Sequence, residues 1–215
     1  MDGLFRAITR WWHSIRRPAS ILERLTVLPI PPGYKAGGFD CGEPDVDDYI
    51  CDGSASEDET KGLTRTYLIM DGAELVGYVS VLCDHIRLGK DERLSPQHPG
   101  APALKVGRMG VRKEHQGHEI GSWILDRVVG LARSLARQAG LRYVTLDALP
   151  NDTLVNWYAG YGFRRNLEEA RVRKIMKSRP GERVWSKEQL DAVKLPHISM
   201  RYDILLEEEV TKAPG

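Results

Sequence analysis

The sequence predicts an α/β domain in which helices flank a central mixed, twisted sheet. One indication is a strand–helix–strand order, with an apolar strand at 104–111, an amphipathic helix at about 121–139 and an apolar strand at 141–149. Two strands joined by a helical crossover lie parallel in a sheet. A second indication is a pair of β-rich segments, 64–70 and 74–86, joined by a short Asp-Gly-Ala hairpin turn. The sheet therefore contains both parallel and antiparallel neighbours.

The other elements follow from local signals. A final strand closes the predicted sheet, and a polar cap residue begins the last helix. The remaining predictions are a strand at Leu22–Ile30, an acidic helix at Glu43–Cys51, a loop at 89–103, a C-cap at Gly140, a helix at Asn151–Tyr161 capped by Asn151 or Asp152, a helix near Lys187–Val193 and a strand at His197–Leu206.

Composition sets limits on the class of protein. The 215 residues are 41% hydrophobic, which supports one medium domain, and a net charge of +1 gives no argument for wholesale nucleic-acid or membrane binding. The three cysteines (Cys41, Cys51 and Cys83) are odd in number and have no CxxC spacing. They are typical of reduced thiols in a cytoplasmic protein. No apolar run approaches the roughly 20 residues of a membrane span, so stable membrane insertion is not expected.

The first twenty residues form a separate predicted segment, a basic amphipathic helix that ends before Pro18. Its apolar face consists of Leu4, Phe5, Ile8, Trp11, Trp12 and Ile15. That face would pack on its own domain or on a second subunit in a homodimer, and the alternative is a membrane surface or another partner. The expected organisation is this helix at 1–20, one domain at 21–206 with a charged insertion at about 165–195, and a flexible tail at 207–215.

The segment between the strand at 104–111 and the following helix contains the clearest candidate binding site. A tight polar turn, Gln116-Gly-His-Glu-Ile-Gly121-Ser122, opens directly into the helix. The free backbone N–H groups of a first helical turn, together with the helix dipole, favour an anion. The sequence therefore predicts a phosphate site at this turn.

Two motifs in this arrangement resemble those of the GCN5-related N-acetyltransferase (GNAT) family, which uses acetyl-coenzyme A. The turn matches the family pattern Q/R-x-x-G-x-G/A at Gln116 and Gly121, whereas Glu119 replaces the middle glycine. Downstream, Asn156-Trp-Tyr158-Ala-Gly-Tyr-Gly162-Phe163 is similar to the family signature of a helix-ending aromatic pair followed by Gly-Phe. The resemblance implies the GNAT fold, acetyl-CoA as cosubstrate and no metal.

The resemblance also implies a role for individual residues. Tyr158 is the expected general acid for the leaving thiolate, because the family tyrosine faces the coenzyme's sulfur. The expected coenzyme-binding residues are Met109, Val111, Gln116, Gly117, His118, Glu119, Gly121, Ser122 and Asn151. Most of them would act through backbone amides, and Asn151 has the alternative role of helix cap. A carboxylate at Glu119 would repel a pyrophosphate if it faced it.

Three further segments are similar to toxin-type acetyltransferases of bacterial toxin–antitoxin pairs, which acetylate the α-amine of aminoacyl-tRNA. They are Gly38-Phe-Asp-Cys-Gly42, Leu63–Leu68 and Val106–Val111. This similarity implies aminoacyl-tRNA as acceptor and an antitoxin as partner. Small molecules, peptides and protein N-termini remain alternative acceptors, and a non-catalytic acyl-CoA-binding module is the alternative class.

The strand at 104–111 contains no Asp or Glu, although family members often place a general base there. A lysine side chain, with a pKa of about 10.4, needs a base at neutral pH, whereas an α-amine starts at about 7.7–8.0. The absence therefore favours an α-amino acceptor, unless Asp84 or His85 supplies the base.

Two other groups of residues have a plainer interpretation. His115 and His118 lack a third ligand nearby, so we expect turn residues and no metal site. The basic run could bind RNA phosphates, but a solvated surface is the favoured reading. It consists of Arg164, Arg165, Arg171, Arg173, Lys174 and Lys177.

Overall fold

The computed structural model describes residues 20–88, 94–95, 97, 100–166 and 197–206. The predicted helices at 1–17 and near 187–193, most of the charged insertion and the tail lie outside these ranges. The helices are α1 (Ile21–Arg24), α2 (Pro44–Cys51), α3 (Ser54–Thr60), α4 (Ile120–Ala136) and α5 (Asp152–Tyr161), with a 3₁₀ turn at Lys113–His115. The strands are β1 (Leu25–Pro29), β2 (Arg65–Asp71), β3 (Glu74–Arg87), β4 (Gly100–Val111), β5 (Tyr143–Ala148), β6 (Arg164–Arg165) and β7 (Ile198–Asp203).

The seven strands form one sheet in the order β1-β2-β3-β4-β5-β7-β6. β4 and β5 are parallel and joined by α4, and the other neighbouring strands are antiparallel. The predicted mixed sheet, the hairpin between β2 and β3 and the parallel crossover are therefore confirmed.

Each face of the sheet has its own hydrophobic core. α4 buries Ile120, Trp123, Ile124, Leu125, Val128, Val129 and Ala132, which recur every three or four residues on one helical face. They pack with residues of β4 and β5 such as Val106 and Leu146. On the opposite face, Tyr49 and Ile50 of α2 and Ala55 of α3 pack with residues of β2 and β3. Below, these two surfaces are called the α4 face and the α2/α3 face.

The predicted strand at Leu22–Ile30 is partly wrong, since the observed β1 spans Leu25–Pro29. Residues 21–24 form one helical turn before β1, because the side chain of Ser20 caps the backbone N–H of Leu22. The helix α3 was not predicted, since its sequence SASEDET lacks an apolar period.

Two boundaries also differ from the prediction. β4 begins at Gly100, inside the predicted loop, because its first residues pair with the end of β3. The C-cap of α4 is Arg137 and not Gly140. The helix ends three residues before that glycine, because the N–H groups of Gln138 and Ala139 both bond to the carbonyl of Leu135.

None of the helices in the described ranges combines the length and the apolarity needed to cross a membrane.

The Gly162-Phe163 pair closes α5 and starts the return to β6. Gly162 has φ +116°, a left-handed conformation that favours glycine, and a Cβ added there would lie 3.1 Å from the Tyr202 ring. Phe163 is buried in an aromatic cluster with ring centroids of Tyr158, Tyr161 and Tyr202 at 5.6–5.9 Å. The conformation of Gly162 thus places Phe163 in the core.

We expect Gly162→Ala to lower the free energy of unfolding by about 2 kcal/mol, because it adds both backbone strain and a steric contact. The measurement is urea unfolding. The matched control is Gly130→Ala in α4, where an added Cβ meets nothing within 4 Å. That variant should gain about 0.5–1 kcal/mol. An equal effect of both substitutions would contradict the assigned role of Gly162.

Candidate active site

The site begins where β4 and β5 part. The two strands pair only from Ala103↔Tyr143 to Val106↔Leu146, although β4 continues to Val111 and β5 to Ala148. Opposite β3, the register shifts between Ser80 and Val81, which leaves Gly107 of β4 as an extra, bulged residue. A bulge bends its strand and interrupts the ladder. β4 therefore turns away from β5 just after the last pair, and an opening forms between them.

The edge of β4 that borders this opening can bind an extended ligand. From Gly107 to Val111, β4 keeps its pairing with β3, but no strand of the described sheet pairs with its other edge. Unpaired strand backbone presents N–H donors and C=O acceptors to whatever enters. The side chains of Met109 and Val111 pack against the core of the α4 face. The backbone of these residues can thus bind a ligand, while their side chains hold the strand in place.

A network of side-chain hydrogen bonds fixes the turn between β4 and α4. Gln116 Nε2 donates to the backbone oxygens of Val111, at 2.9 Å, and Cys41, at 2.8 Å. Arg112 donates to the carbonyls of Leu75 and Gly38, both at 3.1 Å. The turn is therefore tied both to β4 and to the loop before α2.

Glu119 is the N-cap of α4 and has φ 62° and ψ 8°. Among the described residues it is the only one other than glycine with a positive φ. A left-handed conformation costs a residue with a Cβ roughly 1–2 kcal/mol, which explains why the family motif has glycine here. The side chain of Glu119 is exposed and makes no capping hydrogen bond. The backbone geometry of the motif is thus kept without its glycine.

The two remaining glycines of the turn have different surroundings. Gly117 has φ +80° and open space around it. A Cβ at Gly121 would lie 3.1 Å from the indole of Trp157 in α5. Gly121 therefore lets α5 pack closely against the first turn of α4, beside Ser122. This packing holds α5 on the α4 face of the sheet, where Tyr158 belongs to the core.

Tyr158 lies on α5 in that packed region. The residue is 8% exposed, and its ring meets those of Trp157 at 4.8 Å and Phe163 at 5.7 Å between centroids. Burial raises the pKa of the Tyr158 phenol to about 12, since it removes water from the phenolate. No hydrogen bond to its hydroxyl is found within the described residues. The phenol therefore keeps its proton at neutral pH and has an unused donor.

The other predicted residues have mainly local contacts. Asn151 Oδ1 accepts hydrogen bonds from Thr153 N at 2.9 Å and Leu154 N at 3.4 Å, so its side chain caps α5. His118 Nδ1 lies 3.1 Å from Gln116 O, and His115 Nε2 lies 3.0 Å from Glu74 Oε1. Within the described ranges, no three His, Cys, Asp or Glu side chains are grouped as a metal site requires.

The two candidate bases are far from Met109. Asp84 pairs with Ala103, six residues along β4 from Met109 and thus about 20 Å away. Its carboxylate accepts a hydrogen bond from Thr145 Oγ1 at 3.1 Å. His85 lies opposite Pro102, one residue further away. Neither side chain reaches Met109.

Sequence reasoning missed an ion pair close to the opening. Lys105 Nζ lies 2.8 Å from Asp147 Oδ2, and both side chains are partly buried. These residues are 42 positions apart, so only the parallel register of β4 and β5 brings them together. Of the basic run, Arg164 and Arg165 form the exposed strand β6, and its other members lie outside the described residues.

The strain at Glu119 can be measured separately from its charge. We expect Glu119→Gly to raise the free energy of unfolding by about 1 kcal/mol, since the relief of left-handed strain exceeds the added entropy of the unfolded chain. Glu119→Gln removes the charge but keeps the strain, and should leave stability within about 0.5 kcal/mol of the wild type. Urea unfolding of the three proteins measures both. A Gly variant no more stable than the Gln variant would argue against strain.

The raised pKa of Tyr158 predicts a dependence of stability on pH. Between the ordinary pKa of about 10 and the folded value of about 12, the unfolded chain loses the phenolic proton while the folded chain keeps it. Stability is thus fully present below pH 10 and falls as the pH rises to 12. Relative to the wild type, Tyr158→Phe should therefore become progressively more stable over this range in chemical unfolding. A constant difference would mean that the phenol is not desolvated.

Comparison with known proteins agrees with this geometry. The family model for an acetyltransferase (GNAT) domain matches residues 63–165. A tRNA-acetylating toxin of Mycobacterium tuberculosis is 26% identical over 129 residues, which cover 58% of this chain and 75% of the toxin.

Solved toxin structures share the fold. AtaTR bound with acetyl-CoA superimposes with a TM-score of 0.62 at 14% identity, covering 88% of this chain and 99% of the other. A tyrosine-to-phenylalanine mutant of KacT gives a TM-score of 0.66 at 17% identity, covering 87% and 99%. AtaT complexed with acetyl-methionyl-tRNA gives a TM-score of 0.63 at 14% identity, covering 87% of this chain and 99% of the other. The solved structures show that the chain has the GNAT fold, and the family model identifies residues 63–165 as matching an acetyltransferase (GNAT) domain.

Proposed function

We propose that this protein transfers an acetyl group from acetyl-CoA to the α-amine of an aminoacyl-tRNA, as a toxin-like inhibitor of translation. The observation that carries the proposal is the opening between β4 and β5. It is bordered by unpaired β4 backbone, and on its α4 face lie the first turn of α4 and the buried phenol of Tyr158. These are the parts that binding and cleaving a phosphorylated thioester require.

The proposed coenzyme position follows the backbone. The N–H groups from Gly117 to Ser122, including those of His118, Glu119 and Gly121, would bind the pyrophosphate at the positive end of the α4 dipole. The backbone at Met109 and Val111 would bind the pantetheine arm as a neighbouring strand does. Asn151, whose side chain caps α5, would also bind the pantetheine arm, from the far side of the opening. Gln116 shapes the turn through its bonds to Cys41 and Val111.

In the proposed reaction, the neutral amine attacks the thioester carbonyl and the C–S bond breaks. The thiolate takes the proton of Tyr158, and the phenolate then recovers a proton from the new amide nitrogen through water. A free thiol has a pKa of about 8.5, below that of the phenol. The same dry surroundings disfavour both anions, so desolvation also makes the thiolate a stronger base. The buried position of Tyr158 therefore suits proton donation at the moment when charge develops on sulfur.

The proposed acceptor has two supports. The described residues of β4 offer no carboxylate between Leu104 and Val111, and Asp84 lies about 20 Å from Met109. A partly neutral α-amine needs such a base less than a lysine side chain does. The curated relative is a tRNA-acetylating toxin, and structural neighbours are complexed with antitoxin or with an acetylated tRNA. An antitoxin is accordingly the proposed protein partner.

Substitution of Tyr158 tests the function. Loss of a general acid lowers turnover by about 10²–10⁴-fold, so Tyr158→Phe should reduce acetylation of aminoacyl-tRNA by at least about 100-fold. Its dissociation constant for acetyl-CoA, measured by calorimetry, should stay within about threefold, because the phenol contributes to chemistry and not to coenzyme binding. Expression of the wild type in bacteria should arrest growth, whereas expression of the variant should not.

The matched control is Tyr161→Phe, on the same helix, which removes a hydroxyl that donates to Asp126 at 2.7 Å. It should retain turnover and toxicity. A wild type that shows no saturable binding of acetyl-CoA would contradict catalysis altogether. Normal growth together with rapid acetylation of small amines would instead identify a metabolic enzyme.

A further inference from the structure

The ion pair of Lys105 and Asp147 lies at the narrow end of the opening between β4 and β5. Asp147 is the first residue of β5 beyond the last parallel pair, Val106↔Leu146, and Lys105 is the residue before Val106. The Nζ–Oδ2 distance is 2.8 Å, and the two side chains are 30% and 25% exposed. This carboxylate is therefore accessible to solvent at the point where the strands begin to part.

The side chain of Asp147 is on the opposite face of the sheet from Tyr158. Successive residues of a strand point to opposite faces, and Val144, Leu146 and Ala148 belong to the core of the α4 face. Asp147 therefore points to the α2/α3 face, whereas Tyr158 belongs to the core of the α4 face. The opening thus has two sides, with a proton donor on one and a carboxylate on the other.

Under the proposed function, on which this inference rests, the two sides receive different reactants. The coenzyme is bound from the α4 face, where the first turn of α4 and Tyr158 lie, and α4 and α5 cover that face. An amine that attacks the thioester carbonyl must then approach from the other face. We propose that Asp147 binds the amino group of the acceptor there and orients its nitrogen towards the opening.

The chemistry of the pair suits this task. A carboxylate accepts up to about four hydrogen bonds, so Asp147 can keep its partners within the protein and still accept a hydrogen bond from an N–H of the neutral amine. Lys105 also holds the carboxylate in one orientation, which reduces the entropy lost on binding.

Other carboxylates on the α2/α3 face are less suited. Asp84 is separated from Met109 by about 20 Å and is bonded to Thr145. Asp45 is 88% exposed and pairs with Arg108 at 3.5 Å. Water would compete with an amine for hydrogen bonds at so exposed a carboxylate. Among these three carboxylates, Asp147 alone combines partial burial with a place at the opening.

The test compares steady-state acetylation by the wild type, Asp147→Asn, Asp84→Asn and Lys105→Met. The acceptors are aminoacyl-tRNAs and aminoacyl amides, and the release of the coenzyme thiol gives the rate. We expect Asp147→Asn to raise the KM for the acceptor about tenfold or more, since it loses a charge-assisted hydrogen bond. Its kcat and its dissociation constant for acetyl-CoA should stay within about threefold of the wild type.

Two variants separate binding from a structural role. Asp84→Asn removes a partly buried carboxylate of the same face and should leave the acceptor KM unchanged. Lys105→Met breaks the ion pair but keeps Asp147, and should raise the KM much less than Asp147→Asn does, since only the orientation of the carboxylate is lost. The inference is overturned if Asp147→Asn leaves the KM at the wild-type value, or if Lys105→Met raises it equally. A wild type that binds acetyl-CoA but acetylates none of these acceptors overturns the proposed acceptor as well, and one that binds no acetyl-CoA overturns the proposed function itself.

Discussion

The parting of β4 and β5 is the constraint on which the rest of the site depends. The bulge at Gly107 bends β4 while it remains paired with β3, so the strand cannot follow β5 beyond Val106. A continuous ladder would have satisfied the same backbone groups within the sheet. The unpaired edge thus remains available for a ligand, and the opening also separates the phenol of Tyr158 from the carboxylate of Asp147.

The opening can bind a ligand in one defined position only if the strand edge and the helical turn beside it are held in place. Arg112 and Gln116 hydrogen-bond to backbone oxygens of the loop before α2 and of β3 and β4, so one network holds the strand edge and the first turn of α4 together. Gly121 lets Trp157 and with it α5 pack on that turn. Glu119 adopts a left-handed conformation despite its cost, because the surrounding contacts determine the path of the backbone.

Sequence reasoning succeeded where the signal is local. The hairpin of β2 and β3, the crossover through α4 and the capping of α5 by Asn151 each rest on residues close in sequence. It failed at α3, which has no apolar period, and at residues 21–24, where one side-chain cap turns an extended pattern into a helical turn. The bulge at Gly107 and the pairing of Lys105 with Asp147 depend on strand register. No local pattern contains that information. The turn and Tyr158 were candidates on the sequence alone because their motifs are short and contiguous.

Hydrogen exchange at the backbone amides of β4 tests the central claim most directly. With acetyl-CoA added, the amides between Gly107 and Val111 that do not face β3 should exchange more slowly, together with those from Gly117 to Ser122. The amides of β1 and β2 at the far side of the sheet should be unchanged. Unaltered exchange at the β4 edge under saturating acetyl-CoA would mean that the opening between β4 and β5 is not where the coenzyme binds.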